Sequence, residues 1–85
     1  MTLADAAKAL DDLASGQPPS HRLVLLGLSS LDTLLLQGGC EQELHDAAAA
    51  LELFVAAGGM ADRSAEGRSR YGVGAAAIRR AMTDG

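Results

Sequence analysis

Aromatic and β-branched apolar residues are scarce in this chain of 85 residues. It contains one Tyr, one Phe, one Ile, three Val and no Trp. β-Strands favour these residue types, so their scarcity argues against a sheet. Leu and Ala, which are good helix formers, number 14 and 17. The composition therefore predicts an all-α fold with a core of Leu layers and Ala spacers.

Cysteine and long apolar runs are also lacking. Cys40 is the only cysteine, so no disulfide can form within the chain, which fits a reducing compartment. The most apolar run, residues 23–31, is short, because a membrane-spanning helix needs about 20 residues. The first residues include Asp5, whereas a secretion signal starts with positive charge. We therefore expect a soluble, cytoplasmic protein that does not bind the membrane.

Basic residues are scarce in the first two thirds of the chain. Residues 1–59 hold two basic and eight acidic residues, whereas residues 60–85 hold five Arg and three acidic residues. The net charge of the whole chain is −4. An acidic surface repels nucleic acid, so only the C-terminal part would attract it. The arginines there are candidate contacts to an acidic protein partner or to nucleic acid: Arg63, Arg68, Arg70, Arg79 and Arg80.

Helical periodicity and helix-ending residues predict four helices in a single domain of residues 1–85. The predicted helices are 3–15, 20–37, 41–57 and 73–83, and residues 60–71 are either a loop or a short helix. Ser20 is placed to cap the second helix, and the Gly-Gly pairs at 38–39 and 58–59 end the second and third. The short link between those two helices predicts antiparallel neighbours. The predicted fold is a small bundle of three to four helices around an antiparallel Leu/Ala-rich hairpin.

The second predicted helix is apolar nearly all round. Val24 and Leu26 are about 200° apart on a helix of 3.6 residues per turn, so they point to opposite sides. Gly27 would let a neighbouring helix approach closely, but a chain of this size has few elements to cover the remaining faces. Excess apolar surface is typical of interfaces, so we expect a homodimer. The leucines predicted to form its interface are Leu23, Leu26, Leu31, Leu34 and Leu35.

Residues that could carry catalysis or hold a metal are few. Glu41 and His45 are four residues apart on one predicted helix, but no second motif supplies further ligands. The spacing of Cys40 and His45 does not orient a base toward a thiol, and no third group is evident. The glycine pairs follow helices rather than strands, unlike a phosphate-binding loop. We therefore expect no catalytic residue, no metal and no cofactor, and a protein that is not an enzyme.

Residues 71–82 resemble the turn and second helix of the helix-turn-helix family. Gly72 stands where that family has its turn glycine, Val73 follows it, and Ile78 and Met82 are the later apolar positions. The resemblance implies that four residues lie near DNA, with the arginines on phosphates or guanines. These are Gly74, Ala75, Arg79 and Arg80.

Two functions follow from these patterns. The first is a small non-enzymatic regulator or adaptor that binds itself and a second protein through helical surfaces. Short chains without catalytic groups often work in this way, including the inhibitors that phages and mobile elements direct at host proteins. The alternative is a helix-turn-helix-like DNA-binding transcriptional regulator that uses residues 64–83.

Overall fold

The computed structural model describes residues 3–84, and these residues form four α-helices. The helices are α1 (Leu3–Ala14), α2 (His21–Leu36), α3 (Gln42–Ala56) and α4 (Ala65–Asp84). No strand occurs within the described range. The predictions of an all-α fold and of a small helical bundle are therefore confirmed. None of the helices within residues 3–84 has both the length and the apolar character needed to cross a membrane.

The boundaries of α2 follow from local chemistry. Ser20 has extended backbone angles, and its hydroxyl accepts a hydrogen bond from the Leu23 N–H at 3.0 Å. This is the arrangement of an N-cap, which satisfies one of the free N–H groups of the first turn. At the other end, Gly38 has a φ of +81°, a left-handed conformation that glycine adopts without steric cost. The predicted Ser20 cap is therefore present, and the helix ends just before the predicted glycine pair.

The four helices are arranged so that each packs mainly against two others. Helix α1 lies between α2 and α4, and α3 contacts the same two helices. The most extensive of these contacts joins α1 to α4, and the least extensive joins α2 to α3. The most extensive pairing is therefore that of the first and last helices, and the antiparallel arrangement of α2 and α3 stays a prediction.

All four helices contribute to one hydrophobic core. The largest fully buried side chains are Leu10 and Leu13 from α1, Val24 and Leu31 from α2, Leu51 from α3 and Ile78 from α4. Small residues let these helices approach closely. A Cβ atom added to Gly27 would lie 2.6 Å from the Ala6 Cα, so the glycine is required where α2 crosses α1. The prediction that Gly27 permits a close helix approach is confirmed.

Helix α4 begins at Ala65, eight residues before the predicted start at Val73. Two hydrogen bonds explain the early start: the Gly67 N–H donates to the Ser64 hydroxyl at 3.0 Å, and the Ser64 N–H donates to Asp62 Oδ1 at 2.9 Å. The buried Tyr71 then anchors this first part, because its hydroxyl accepts from the Asp62 N–H at 3.0 Å. Helix α4 is continuous through Gly72, so the predicted turn at that residue is wrong.

Candidate functional site

Three of the five candidate arginines bind acidic residues of the same chain. Arg79 makes two hydrogen bonds to the Asp11 carboxylate on α1, one of them at 3.2 Å. Arg80 lies 3.2 Å from a Glu41 carboxylate oxygen and 3.8 Å from one of Glu43, at the start of α3. Arg70 contacts Glu66 on its own helix at 2.8 Å. The arginines at positions 79 and 80 therefore connect α4 to both of its neighbours.

The Asp11–Arg79 pair is an exposed ion pair between α1 and α4. The hydrogen bonds and the negative charge of Asp11 raise the pKa of Arg79 above its usual value. Both side chains remain about half exposed, and exposed pairs contribute only about 0–1 kcal/mol to stability. The pair therefore adds little to the stability of the fold.

The residues that the helix-turn-helix resemblance places near DNA are not available for that role. Gly74 and Ala75 are buried, and a Cβ added to Gly74 would lie 3.0 Å from the Ala47 Cβ and 3.2 Å from a Leu10 methyl group. Their face of α4 is turned into the bundle. Since residues 65–84 also form one helix without a turn, the structure lacks the arrangement that the resemblance implies.

The predicted interface leucines of α2 are divided between core and surface. Leu31 is fully buried in the core of the same chain, which corrects its assignment to an interface. Three others pack partly against that core: Leu23, Leu34 and Leu35. Only Leu26 is a large exposed apolar residue, with 46% of its surface accessible. Burial in the same chain therefore removes Leu31 from the predicted interface, and an interface on α2 stays a prediction.

A different set of residues faces outward from α2. Leu25 is 45% exposed and Leu36 is 87% exposed, and they recur with Leu26 at helical spacing. Seven exposed residues form this face, here named the outer α2 stripe: Arg22, Leu25, Leu26, Ser29, Asp32, Thr33 and Leu36. Gly27 marks the opposite side, since it faces Ala6. The sequence contained this signal, because the outward face is the one opposite the glycine.

The remaining large exposed apolar residues are spread over other elements. They are Leu53 on α3, Met60 in the α3–α4 loop, and Val73 and Met82 on α4. Single exposed apolar residues are normal on protein surfaces, whereas a group on one helix face is a candidate interface. The outer α2 stripe is the helix face on which three such leucines lie together.

Two cavities of about 540 Å³ each flank the α3–α4 loop. The first lies between α3 and α4 and is lined by Leu53, Phe54 and Tyr71 among others. The second, here named the arginine cavity, lies at the end of α1 and includes Arg63 and Arg68. Neither cavity was predicted, and the second joins the end of α1 to a segment about 40 residues later in the chain.

The cysteine and histidine considered as candidates for chemistry lie apart from both cavities. Cys40 is half-buried, and its thiol donates a hydrogen bond to the Leu34 carbonyl at 3.6 Å. His45 is exposed on α3, and Glu41 is paired with Arg80. Within the described part of the chain, no group of three or more His, Cys, Asp or Glu residues is placed to hold a metal ion.

Two features of the described residues are suited to recognising another molecule. One is the outer α2 stripe, which is apolar with a charged residue toward each end. The other is the arginine cavity, which combines apolar and basic side chains. A scan against protein-family models matches no family, and searches of curated proteins and of solved structures give no match.

Proposed function

We propose that this chain is a small protein-binding protein, not an enzyme, and that it forms a homodimer through the outer α2 stripe. The observation that carries the proposal is the exposure of Leu25, Leu26 and Leu36 on one face of a helix whose opposite face is buried. Covering apolar surface is the main favourable contribution to most protein association. In the cell, such a dimer would act as a cytoplasmic regulator, adaptor or inhibitor of a second protein.

Two opposite charges on the stripe, Arg22 at its start and Asp32 one turn before Leu36, favour a second copy as the occupant. Arg22 and Asp32 are ten residues apart, or about 15 Å along a helix, and the leucines at 25 and 26 lie between them. If two copies of α2 pack antiparallel about a two-fold axis, Arg22 of each copy faces Asp32 of the other. Ser29, near the middle, is small enough for close approach. The stripe is therefore complementary to itself, as a two-fold interface requires.

The arrangement of α2 and α3 bears on how the dimer would be built. The two helices contact each other and are joined by five residues, 37–41. We propose that they run antiparallel, as short connections favour. Two such pairs would place the two α2 helices at the centre of the dimer, with α3 of each copy flanking them.

Dimerisation is tested by analytical ultracentrifugation of the wild type and of two matched variants. Leu26→Glu places a charge in the stripe, whereas Leu53→Glu makes the same change at a 67% exposed position on α3 outside it. We expect a concentration-dependent wild-type dimer that Leu26→Glu weakens at least tenfold, since fully burying a leucine contributes about 1.5–3 kcal/mol. Leu53→Glu should leave the dimer unchanged. A wild type that stays monomeric at ~0.1 mM would contradict the proposal.

A charge exchange tests the antiparallel two-fold pairing separately. Arg22→Asp should weaken the dimer because it places two acids opposite each other, and adding Asp32→Arg should restore it. If the double variant dimerises no better than Arg22→Asp alone, the dimer has another geometry.

A DNA-binding assay on the same purified protein tests the helix-turn-helix alternative. Arg79 and Arg80, the two arginines that the resemblance places on DNA, are paired within the chain. We expect no binding to a fluorescent DNA duplex at low salt. Binding that falls steeply as salt rises would instead support the alternative, because phosphate contacts release counterions.

A further inference from the structure

Arg63 and Arg68 differ from the other arginines of the C-terminal part. Arg70, Arg79 and Arg80 each lie within 4.0 Å of a carboxylate oxygen. Among the described side chains, no carboxylate lies that close to Arg63 or Arg68. Both are exposed, and both line the arginine cavity. Two arginines without an ion-pair partner among the described residues therefore line one cavity.

Apolar side chains also line the arginine cavity. Met60, which is 76% exposed, and the half-buried Ala61 come from the α3–α4 loop, whereas Leu13 and Phe54 are almost fully buried core residues. Its volume of about 540 Å³ lies within the range of about 300–1,000 Å³ that is typical of small-molecule sites. The cavity therefore combines apolar side chains with the two basic groups.

One acidic residue, Asp62, also lines the cavity, and its carboxylate is already engaged. Asp62 Oδ1 accepts the Ser64 N–H at 2.9 Å, which holds the carboxylate against the start of α4. Two arginines and one aspartate give the lining a formal charge of +1, on a chain whose net charge is −4. The cavity is therefore a basic site on an acidic protein.

We propose that the arginine cavity binds a small amphipathic carboxylate. The aliphatic part packs against Met60 and Ala61, and Arg63 and Arg68 donate hydrogen bonds to the carboxylate, an anion whose planar geometry matches guanidinium. No residue of α2 lines the cavity, so this site is separate from the outer α2 stripe and stands whether or not the chain dimerises.

The test is a titration of the full chain with octanoate and, as a neutral control of the same length, 1-octanol, followed by amide chemical shifts. Both ligands are used below the concentrations at which they aggregate. We expect octanoate to bind at least tenfold more tightly than octanol at low salt, with the largest shifts at residues 13–18 and 59–68. The advantage over octanol should shrink as salt rises, because the arginines are exposed.

Variants identify the groups responsible. Arg63→Gln/Arg68→Gln should bind octanoate about as weakly as it binds octanol. Arg70→Gln, which changes an arginine already paired with Glu66, should bind octanoate like the wild type. If the double variant does not fold, the octanoate-to-octanol ratio of the wild type decides the question. Equal binding of the two ligands, an unchanged double variant, or shifts centred on Tyr71 in the other cavity would each overturn the proposal.

Discussion

Glycines inside the helices provide a sharp test of the packing. Gly27 and Gly72 both lie within α-helices, so replacing either by alanine removes the same intrinsic cost, about 1 kcal/mol. Their surroundings differ completely. A Cβ at Gly72 would meet no other atom within 4 Å, whereas a Cβ at Gly27 would lie 2.6 Å from both the Cα and the backbone nitrogen of Ala6.

These distances determine the sign of each effect. Gly72→Ala should stabilise the protein by about 0.5–1 kcal/mol, since nothing opposes the gain in helix propensity. Gly27→Ala would force α1 and α2 apart by about 1 Å, because backbone atoms cannot turn aside. Overpacking of this kind typically costs about 1–3 kcal/mol, and separating the helices also loosens the contacts of the buried Leu10. We expect a net destabilisation of about 1–2 kcal/mol.

The assay is thermal unfolding followed by circular dichroism at 222 nm. For a domain of this size, 1 kcal/mol changes Tm by about 4–8 °C, so Gly72→Ala should unfold several degrees above the wild type and Gly27→Ala several degrees below. Equal protein concentrations exclude a contribution from association. Gly74→Ala should fall between the two, because its nearest neighbours, at 3.0 and 3.2 Å, are side-chain atoms. If Gly27→Ala is as stable as Gly72→Ala, the close α1–α2 crossing is refuted.

Two further predictions concern charge. Hydrogen bonds from Ser64, together with the positive charge of Arg70, lower the pKa of Asp62 below its usual 3.8. The ionised carboxylate therefore stabilises the fold above about pH 4, and this contribution is lost as the pH falls through the lowered pKa. When the pH is lowered from about 5 to about 2.5, the Tm of Asp62→Asn should fall less than the Tm of the wild type. Equal falls in Tm would contradict a stabilising role for the ionised Asp62 carboxylate. For the exposed Asp11–Arg79 pair, Arg79→Gln should cost less than about 1 kcal/mol in dilute buffer and almost nothing in ~1 M salt; a salt-independent loss would show that Arg79 acts through packing instead.

Much of the fold could be predicted because its determinants are local in sequence. The ends of α2 depend on Ser20 and on a glycine pair, and both are recognisable without knowledge of the tertiary structure. The all-α fold follows from composition for the same reason. Gly27 could also be interpreted correctly, since a glycine inside an apolar helix usually marks a close neighbour.

The errors arose where tertiary contacts decide the outcome. Gly67 suggests a helix-breaker, but in the structure it lies where the Asp62 side chain leaves no room for a Cβ. Tyr71 fixes this segment through a hydrogen bond from a residue nine positions earlier, which periodicity cannot reveal. The core face of α2 was ambiguous because leucines occur on every side of it. The arginine cavity depends on α1 and the α3–α4 loop meeting in space, and no local pattern indicates that meeting.

The close pairing of α1 with α4 has a consequence for how the chain acquires its structure during synthesis. Asp11 and Arg79, which meet across this pair, are 68 residues apart. Until α4 has left the ribosome, only α2 can cover the apolar side of α1. Leu10 therefore stays exposed and can contact other chains. Such long-range closure also slows folding relative to helical proteins whose contacts are mostly between sequence neighbours. Truncation before residue 65 should therefore yield a chain that aggregates or engages chaperones, rather than a smaller version of the same protein.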